Sequence, residues 1–299
     1  MADGSVRIIT SARMAGVVRA IDKVYEAKHP GVRFTVREGD NYSAMAALTF
    51  DRSVVAPLGA EFTRVGLGDN LKIASEPIGI RIAHATLTPG SGVSALGVIV
   101  NRANPIATIT MSQLTRMLAV GGPGGDIATW GQAGVTGALA DREVHPVGPL
   151  QSDERDSEDP QAGEFLSAVK MGGLNMNHRY VAMGRTSDVV ERVKEDRAAI
   201  GIVALNVPLG EVRVIAVKTE TGMASAGSAT DIAAGRYALD RYVYLYVRVG
   251  KGMPVDAFAK EYVRVALSEE GQAAIAADSA GYIPLNAAEL ADERTKLDR

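Results

Sequence analysis

Residues 6–36 of this 299-residue chain switch from a strand pattern to a helix pattern and back, which constrains the fold more than any other feature. Val6–Ile9 is a short β-branched run, and in residues 32–36 apolar side chains alternate with polar ones, as in a half-buried strand. Between them, residues 14–25 carry apolar side chains at helical spacing, and the His-Pro-Gly sequence at 29–31 ends the pattern. The segment is therefore predicted to form a β-α-β unit.

The alternation of strand and helix patterns continues along the chain. A second short helix is predicted from about Ser43 to Phe50, and an apolar stretch follows from Val54 to Leu58. In the second half, a buried strand is predicted at Ala199–Leu205 after another helix. Because 299 residues exceed what one core usually absorbs, the repetition predicts two doubly wound α/β lobes with parallel strands. The polar turn Asn101–Pro105, which follows the strand pattern at 96–100, marks the expected first crossing between them.

Composition excludes several classes of function. The formal net charge is -3 and the basic residues are scattered, so there is no basic patch for nucleic acid. No run of about 18 apolar residues is present, so no transmembrane helix is predicted. The absence of cysteine excludes disulfides, thiolate catalysis and cysteine-ligated metals.

Local catalytic and cofactor motifs are missing from the sequence. The four histidines are spread singly, and none has the spacing that lets one helix face hold a metal ion. Neither a Gly-x-Ser-x-Gly elbow nor a Gly-x-Gly-x-x-Gly fingerprint occurs. The glycine-rich run Gly121–Gly125 lacks the Lys-Ser/Thr of a P-loop and is interpreted as a surface loop. We therefore predict no cofactor and no metal.

Several segments together resemble the phosphate-binding-protein family of ABC-transporter receptors. The sequence Val98–Ile106, followed by Thr110–Leu114 and the single Trp130, is similar to that family's strand, Asn-Pro turn, helix and tryptophan. Later landmarks follow in the family's order, so the resemblance covers nearly the whole chain. They are Ala199–Val203, Tyr242–Tyr246, Leu267–Gln272 and Gly281–Leu285.

The resemblance implies a type II periplasmic-binding-protein fold, in which two doubly wound α/β lobes are joined by two crossing strands. Lobe I would comprise residues 1–101 and 212–299, and lobe II residues 102–211. Crossing strands would run near 96–101 and 212–217, and the ligand would be captured between the lobes by hinge closure. The protein would be no enzyme: it would present its ligand to a membrane ABC permease.

The resemblance also implies a periplasmic or secreted location. The start of the sequence, Met1–Ser5, has neither the basic nor the apolar region of a secretory signal, so export is neither shown nor excluded by these residues.

In this family an oxyanion is held by helix N-termini, whose free N–H groups and positive dipole end need no bulk positive charge. The resemblance assigns the ligand to loops that open the first helices. In the second loop, Asp40 and Tyr42 depart from the family's Gly/Ser-rich pattern. Ser11 would contact the ligand or only cap its helix, and Glu61 would accept a proton from the ligand or only cap a turn. The candidate residues are Thr10, Ser11, Ala12, Arg13 and Met14; Gly39, Asp40, Asn41, Tyr42 and Ser43; and Glu61.

The largest departure from the family follows Val147–Pro149, where an Arg and a Ser-Gly-Thr are expected. Residues 151–161 stand there instead and contain five acids. The nearest substitutes are Ser152, Arg155 and Ser157. Because each like charge at about 4 Å costs roughly 1 kcal/mol even in water, either this loop points away from the site or the ligand is not phosphate.

Three hypotheses therefore stay open. The first is an oxyanion receptor, most simply for phosphate. The second is the same fold with a changed ligand, a cationic or zwitterionic small solute, as the acidic segment suggests. The third is an enzyme with a dispersed site, for which Tyr42, Glu61 and Arg13 would have to converge.

Overall fold

The computed structural model describes residues 4–62, 77–151, 157–249 and 254–298. The chain divides into two compact units, the first formed by Met1–Val93 with Arg241–Arg299 and the second by Ser94–Asp240. Among the described residues, no helix is both long and apolar enough to cross a bilayer.

In the first unit, β1 (Val6–Ser11) and β2 (Phe34–Gly39) pair in parallel, with α1 (Ala15–Lys28) between them in the sequence. This confirms the predicted β-α-β unit. The helix follows a 3₁₀ turn at Ala12–Met14 and ends at His29, before a glycine with a positive φ. Its apolar stripe is buried in the core of this unit, except for Val24, which is partly buried.

A second sheet of the first unit has the strand order β13-β4-β12-β3 and antiparallel pairing throughout. The expectation of a parallel sheet therefore holds for β1 and β2 but is wrong here. The reason lies in the connectivity: β4 leads the chain out of the first unit and β12 leads it back, so these neighbours run in opposite directions. The strands are β3 (Ala56–Leu58), β4 (Ile78–Thr86), β12 (Tyr242–Val247) and β13 (Tyr282–Pro284).

Among the described residues of the first unit, four further helices cover these strands. Each begins at a side-chain cap, and the aspartate, serine or asparagine at each start accepts a hydrogen bond from the first turn. Such caps explain why the helices start where they do. The helices are α2 (Asn41–Thr49), α7 (Ala257–Ala266), α8 (Glu269–Ala277) and α9 (Ala287–Lys296).

The second unit contains one sheet with the strand order β11-β10-β5-β9-β7-β8, and β6 pairs with β10. Strand β7 is parallel to β8 and β9, whereas β5 is antiparallel to β9 and β10. The strands are β5 (Leu96–Asn101), β6 (Thr108–Thr110), β7 (His145–Pro149), β8 (Val181–Met183), β9 (Ala199–Ala204), β10 (Val212–Lys218) and β11 (Ala224–Ser225).

Helices of the second unit lie between these strands in the sequence. They are α3 (Met111–Leu118), α4 (Pro160–Glu164, which continues as a π-helix through Phe165–Lys170), α5 (Thr186–Glu195) and α6 (Ala229–Ala233). Together the two units give the mixed α/β architecture that the sequence predicts.

The unit boundaries differ from the expected ones at residues 101 and 212. The chain leaves the first unit after Val93 and returns at Arg241. The physical reason is strand pairing: β5 and β10, expected as the crossing strands, pair with each other, and β5 also pairs with β9. Both strands therefore belong wholly to the second unit.

Candidate functional site

The carboxyl ends of β1 and β2 meet in the first unit, where Ser11 lies opposite Gly39. Strand β3 runs beside β1, and the Thr10 hydroxyl donates a hydrogen bond to the Pro57 carbonyl over 3.3 Å. The 3₁₀ turn before α1 and the start of α2 follow directly on these strand ends. Ligands of open α/β sheets bind at this kind of edge, beyond the carboxyl ends of parallel strands.

In the first loop, Ser11 is the residue with unused hydrogen-bonding capacity. Its Oγ is buried and makes no hydrogen bond to any described residue. It does not cap the following turn, so the interpretation of Ser11 as a plain helix cap is wrong. A buried hydroxyl without a partner costs about 1–3 kcal/mol, a cost that a bound ligand would remove.

The other residues of the first loop have different surroundings. Thr10 is fully buried, and its hydroxyl ties β1 to β3, a structural role. Met14 is buried in the core, whereas Ala12 and Arg13 are exposed. The carbonyl of Arg13 accepts a hydrogen bond from the Tyr282 hydroxyl over 3.2 Å. The loop is thus anchored on both sides of Ser11.

The second loop is organised by a capping box at the start of α2. The Ser43 N–H donates to Asp40 Oδ1 over 2.7 Å, and the Asp40 N–H donates to Ser43 Oγ over 2.8 Å. Hydrogen bonds from the backbone of Ser43 and, second, from its side chain lower the pKa of Asp40. A Cβ at Gly39 would lie 2.4 Å from Ser43 Oγ, so glycine leaves room for the box. The helix start thereby carries a carboxylate of its own.

Asn41 and Tyr42 follow the cap on α2. Asn41 is 7% exposed, and its Oδ1 has no hydrogen-bond partner among the described residues. Tyr42 is 44% exposed and packs edge-on against Phe62, with ring centroids 5.9 Å apart. Asn41 therefore carries an unused acceptor at the start of α2, two residues after Gly39, which pairs with Ser11.

The third loop rests on the tyrosines of β12. The Tyr244 hydroxyl donates to Glu61 Oε2 over 3.4 Å, and the Phe62 N–H donates to the Tyr246 hydroxyl over 2.7 Å. Burial, with the charge of Glu61 second, raises the pKa of Tyr244. Glu61 itself is exposed. The alternation of tyrosines at 242, 244 and 246 indicates a strand. It does not indicate that this strand supports the loop at Glu61.

In the second unit, Ser152 and Arg155 lie outside the described residues. Ser157 is described and is half-buried, eight residues after the end of β7 at Pro149. The carbonyl of Pro149 accepts hydrogen bonds from the Tyr180 hydroxyl at 2.8 Å and from Gln151 at 3.1 Å. The strand end before the acidic segment is thus held by neutral groups.

Two of the three side chains of the enzyme hypothesis have described partners. Tyr42 packs on Phe62 and Glu61 accepts from Tyr244, and the contact shown for Arg13 is that of its carbonyl. The described part of the chain contains no group of three or more His, Asp or Glu that could hold a metal ion.

Comparison with known proteins identifies a family over most of the chain. The sequence profile of the PBP superfamily domain matches residues 2–270. Phosphate-binding protein PstS of Pseudomonas aeruginosa is 25% identical over 292 residues, which cover 95% of this chain and 84% of that protein.

Two solved structures have the same fold. An ABC-type phosphate transport receptor from Vibrio cholerae matches with a TM-score of 0.59 at 18% identity, over 94% of this chain and 99% of that one. PstS from Borrelia burgdorferi matches with a TM-score of 0.60 at 14% identity, with the same coverage. These likenesses confirm the expected two-lobed α/β fold.

Proposed function

The chain belongs to the PBP superfamily, and from this premise we propose that it captures phosphate or a related oxyanion and delivers it to a membrane ABC permease. One observation carries the proposal: the buried, unpartnered Ser11 Oγ stands at the carboxyl end of two parallel strands, where helical turns begin. The relative from Pseudomonas aeruginosa, matched over 95% of this chain, is named a phosphate-binding protein. The proposed role is binding outside the cytoplasm, with no bond made or broken.

The hydrogen-bonding groups at this edge favour a ligand that can also donate a hydrogen bond. Asn41 Oδ1 is a buried acceptor without a partner, and the carboxylates of Asp40 and Glu61 are acceptors only. A monohydrogen phosphate has both a hydroxyl donor and acceptor oxygens, whereas sulfate at neutral pH has acceptors alone. We therefore propose that phosphate is bound in preference to sulfate.

Substitution of Ser11 by aspartate is expected to weaken phosphate binding by at least about 100-fold. Two unit charges about 4 Å apart at an intermediate dielectric repel by ~4 kcal/mol, and an unaltered melting temperature of the variant shows that its fold is intact. Isothermal titration calorimetry with phosphate and with sulfate measures both the affinity and the preference.

The matched control is Ser279→Asp, at an exposed serine of the same unit, which should leave phosphate binding unchanged. Saturable phosphate binding that Ser11→Asp does not weaken would contradict the site. If neither oxyanion gives heat, while polyamines or amino acids raise the melting temperature, the alternative of a cationic or zwitterionic ligand replaces this proposal.

A further inference from the structure

A cavity of about 880 Å³ opens in the second unit at the edge where β7 and β9 begin. Its walls come from the segment after β5, the residues before β7, and the link between α5 and β9. The acidic segment after Pro149, in contrast, follows the opposite, carboxyl end of β7. None of the residues predicted to contact the transported ligand lines this cavity.

Arginines dominate the charge of this cavity. Arg142, Arg192 and Arg197 line it, together with the acids Glu195 and Asp196. Within the described residues, the guanidinium groups of Arg142 and Arg197 have no hydrogen bond or ion pair, although both side chains are exposed. Two cationic groups thus line the cavity without a direct hydrogen bond or ion pair to either of its acids.

One of the two acids of the cavity, Asp196, already has partners of its own. Asp196 Oδ2 lies 2.7 Å from His145 Nδ1 and 3.7 Å from Arg192, and Asp196 Oδ1 accepts from the Ala198 N–H over 2.9 Å. Glu195 is exposed. Three arginines against two acids leave the lining with a formal charge of +1, in a chain whose net charge is -3.

The main chain holds both free arginines in place. The Arg142 carbonyl accepts a hydrogen bond from the Trp130 N–H over 3.1 Å. The Arg197 carbonyl accepts one from the Asn104 side chain over 3.4 Å. Because the backbone positions are fixed, only side-chain rotamers need to order when a ligand binds, which limits the entropic cost.

The remaining walls of the cavity are mostly apolar, with Pro105, Leu139 and Ala198 among them. A volume of about 880 Å³ lies in the range of sites for organic molecules and is far larger than one tetrahedral oxyanion. Guanidinium groups match the planar geometry of carboxylates and the oxygens of phosphates. We propose that this cavity binds a small organic anion, with a phosphate or carboxylate group on the arginines and an apolar body against the other wall.

The single tryptophan of the chain reports on this cavity directly. Trp130 is fully buried, its indole Nε1 donates to the Ala198 carbonyl over 3.0 Å, and Ala198 lines the cavity. Titration with phenyl phosphate and with 3-phenylpropionate, followed by tryptophan fluorescence, is expected to give a saturable change for at least one of them. The neutral 3-phenylpropanol should give none below about 10 mM, the range of weak binding.

Replacement of both free arginines by alanine should weaken the response at least about tenfold, the value of one charge-assisted hydrogen bond. Arg185→Ala, at an exposed arginine of the same unit outside the cavity, should leave the titration unchanged. An unaltered melting temperature of the Arg142→Ala/Arg197→Ala variant shows that its fold is intact.

Either of two results overturns the proposal. One is the absence of a saturable fluorescence change with both anions up to about 10 mM. The other is a change that the double variant leaves as strong as in the parent protein. A response to phenyl phosphate alone identifies an organic phosphate as the ligand class, and a response to 3-phenylpropionate identifies a carboxylate.

Discussion

Replacement of Asp22 by asparagine is expected to stabilise the protein by about 4 kcal/mol at pH 8. Asp22 lies on α1, is 4% exposed, and accepts a hydrogen bond from the Tyr262 hydroxyl over 2.8 Å. Burial raises its pKa from the ordinary 3.8 to about 7, although that hydrogen bond acts in the opposite direction. A carboxylate at this position is therefore forced to ionise in an apolar core when the pH is high.

The sign of the pH dependence follows from this raised pKa. Between about pH 4 and 7, Asp22 is protonated in the folded protein but ionised in the unfolded chain. The contribution of this group to the free energy of unfolding is therefore fully present below about pH 4. It is lost as the pH rises through 7. Asparagine removes the ionisation and still accepts the hydrogen bond from Tyr262.

Urea unfolding of both proteins at pH 5 and pH 8 measures the effect. The advantage of Asp22→Asn should grow from about 2 kcal/mol at pH 5 to about 4 kcal/mol at pH 8. The control Asp141→Asn, at an exposed aspartate, should show no such growth. An advantage that is the same at both pH values would contradict the burial of an ionising Asp22.

Replacement of Glu293 by alanine is expected to destabilise the protein by about 3 kcal/mol. Glu293 lies on α9, and its side chain is fully buried. It pairs with Arg81 Nε on β4, accepts from the Arg81 N–H over 3.0 Å, and lies 2.7 Å from Lys296 Nζ. Alanine would leave Arg81 and its backbone N–H without this acceptor, and unpaired groups of that kind are costly.

Thermal and urea unfolding test this expectation at neutral pH. Asp292→Ala, at the exposed neighbour on the same helix, should change the free energy of unfolding by less than about 0.5 kcal/mol. Glu293→Gln retains an acceptor and should fall between the two. A Glu293→Ala variant as stable as the Asp292→Ala variant would show that the contact with Arg81 contributes nothing to stability.

The elements that the sequence predicts well are those built from neighbouring segments. The β-α-β unit at 6–39 follows from three adjacent periodic patterns, and the observed register pairs Val6 with Phe34. Helix α2, whose start the sequence predicts at about Ser43, begins two residues earlier because a cap lies just before it. Asp40 starts α2 at Asn41, and Thr110 starts α3 through a capping box with Gln113.

Features that depend on distant segments were not predictable. The antiparallel sheet brings β3 beside β12, whose residues lie more than 180 positions later in the sequence. No local sequence pattern around Glu61 or Tyr244 predicts the hydrogen bond between them. In the same way, whether Ser11 caps its turn depends on the backbone conformation, which periodicity does not encode.

The position of β12 between β3 and β4 has a consequence for biogenesis. Residues 242–247 leave the ribosome after the entire second unit, so until then β3 and β4 lack the partner they share. The second unit, a continuous segment, has all its strands by residue 225. During synthesis, the amino-terminal segment therefore has unpaired strand edges. Nascent chains in this state are expected to be substrates for chaperones.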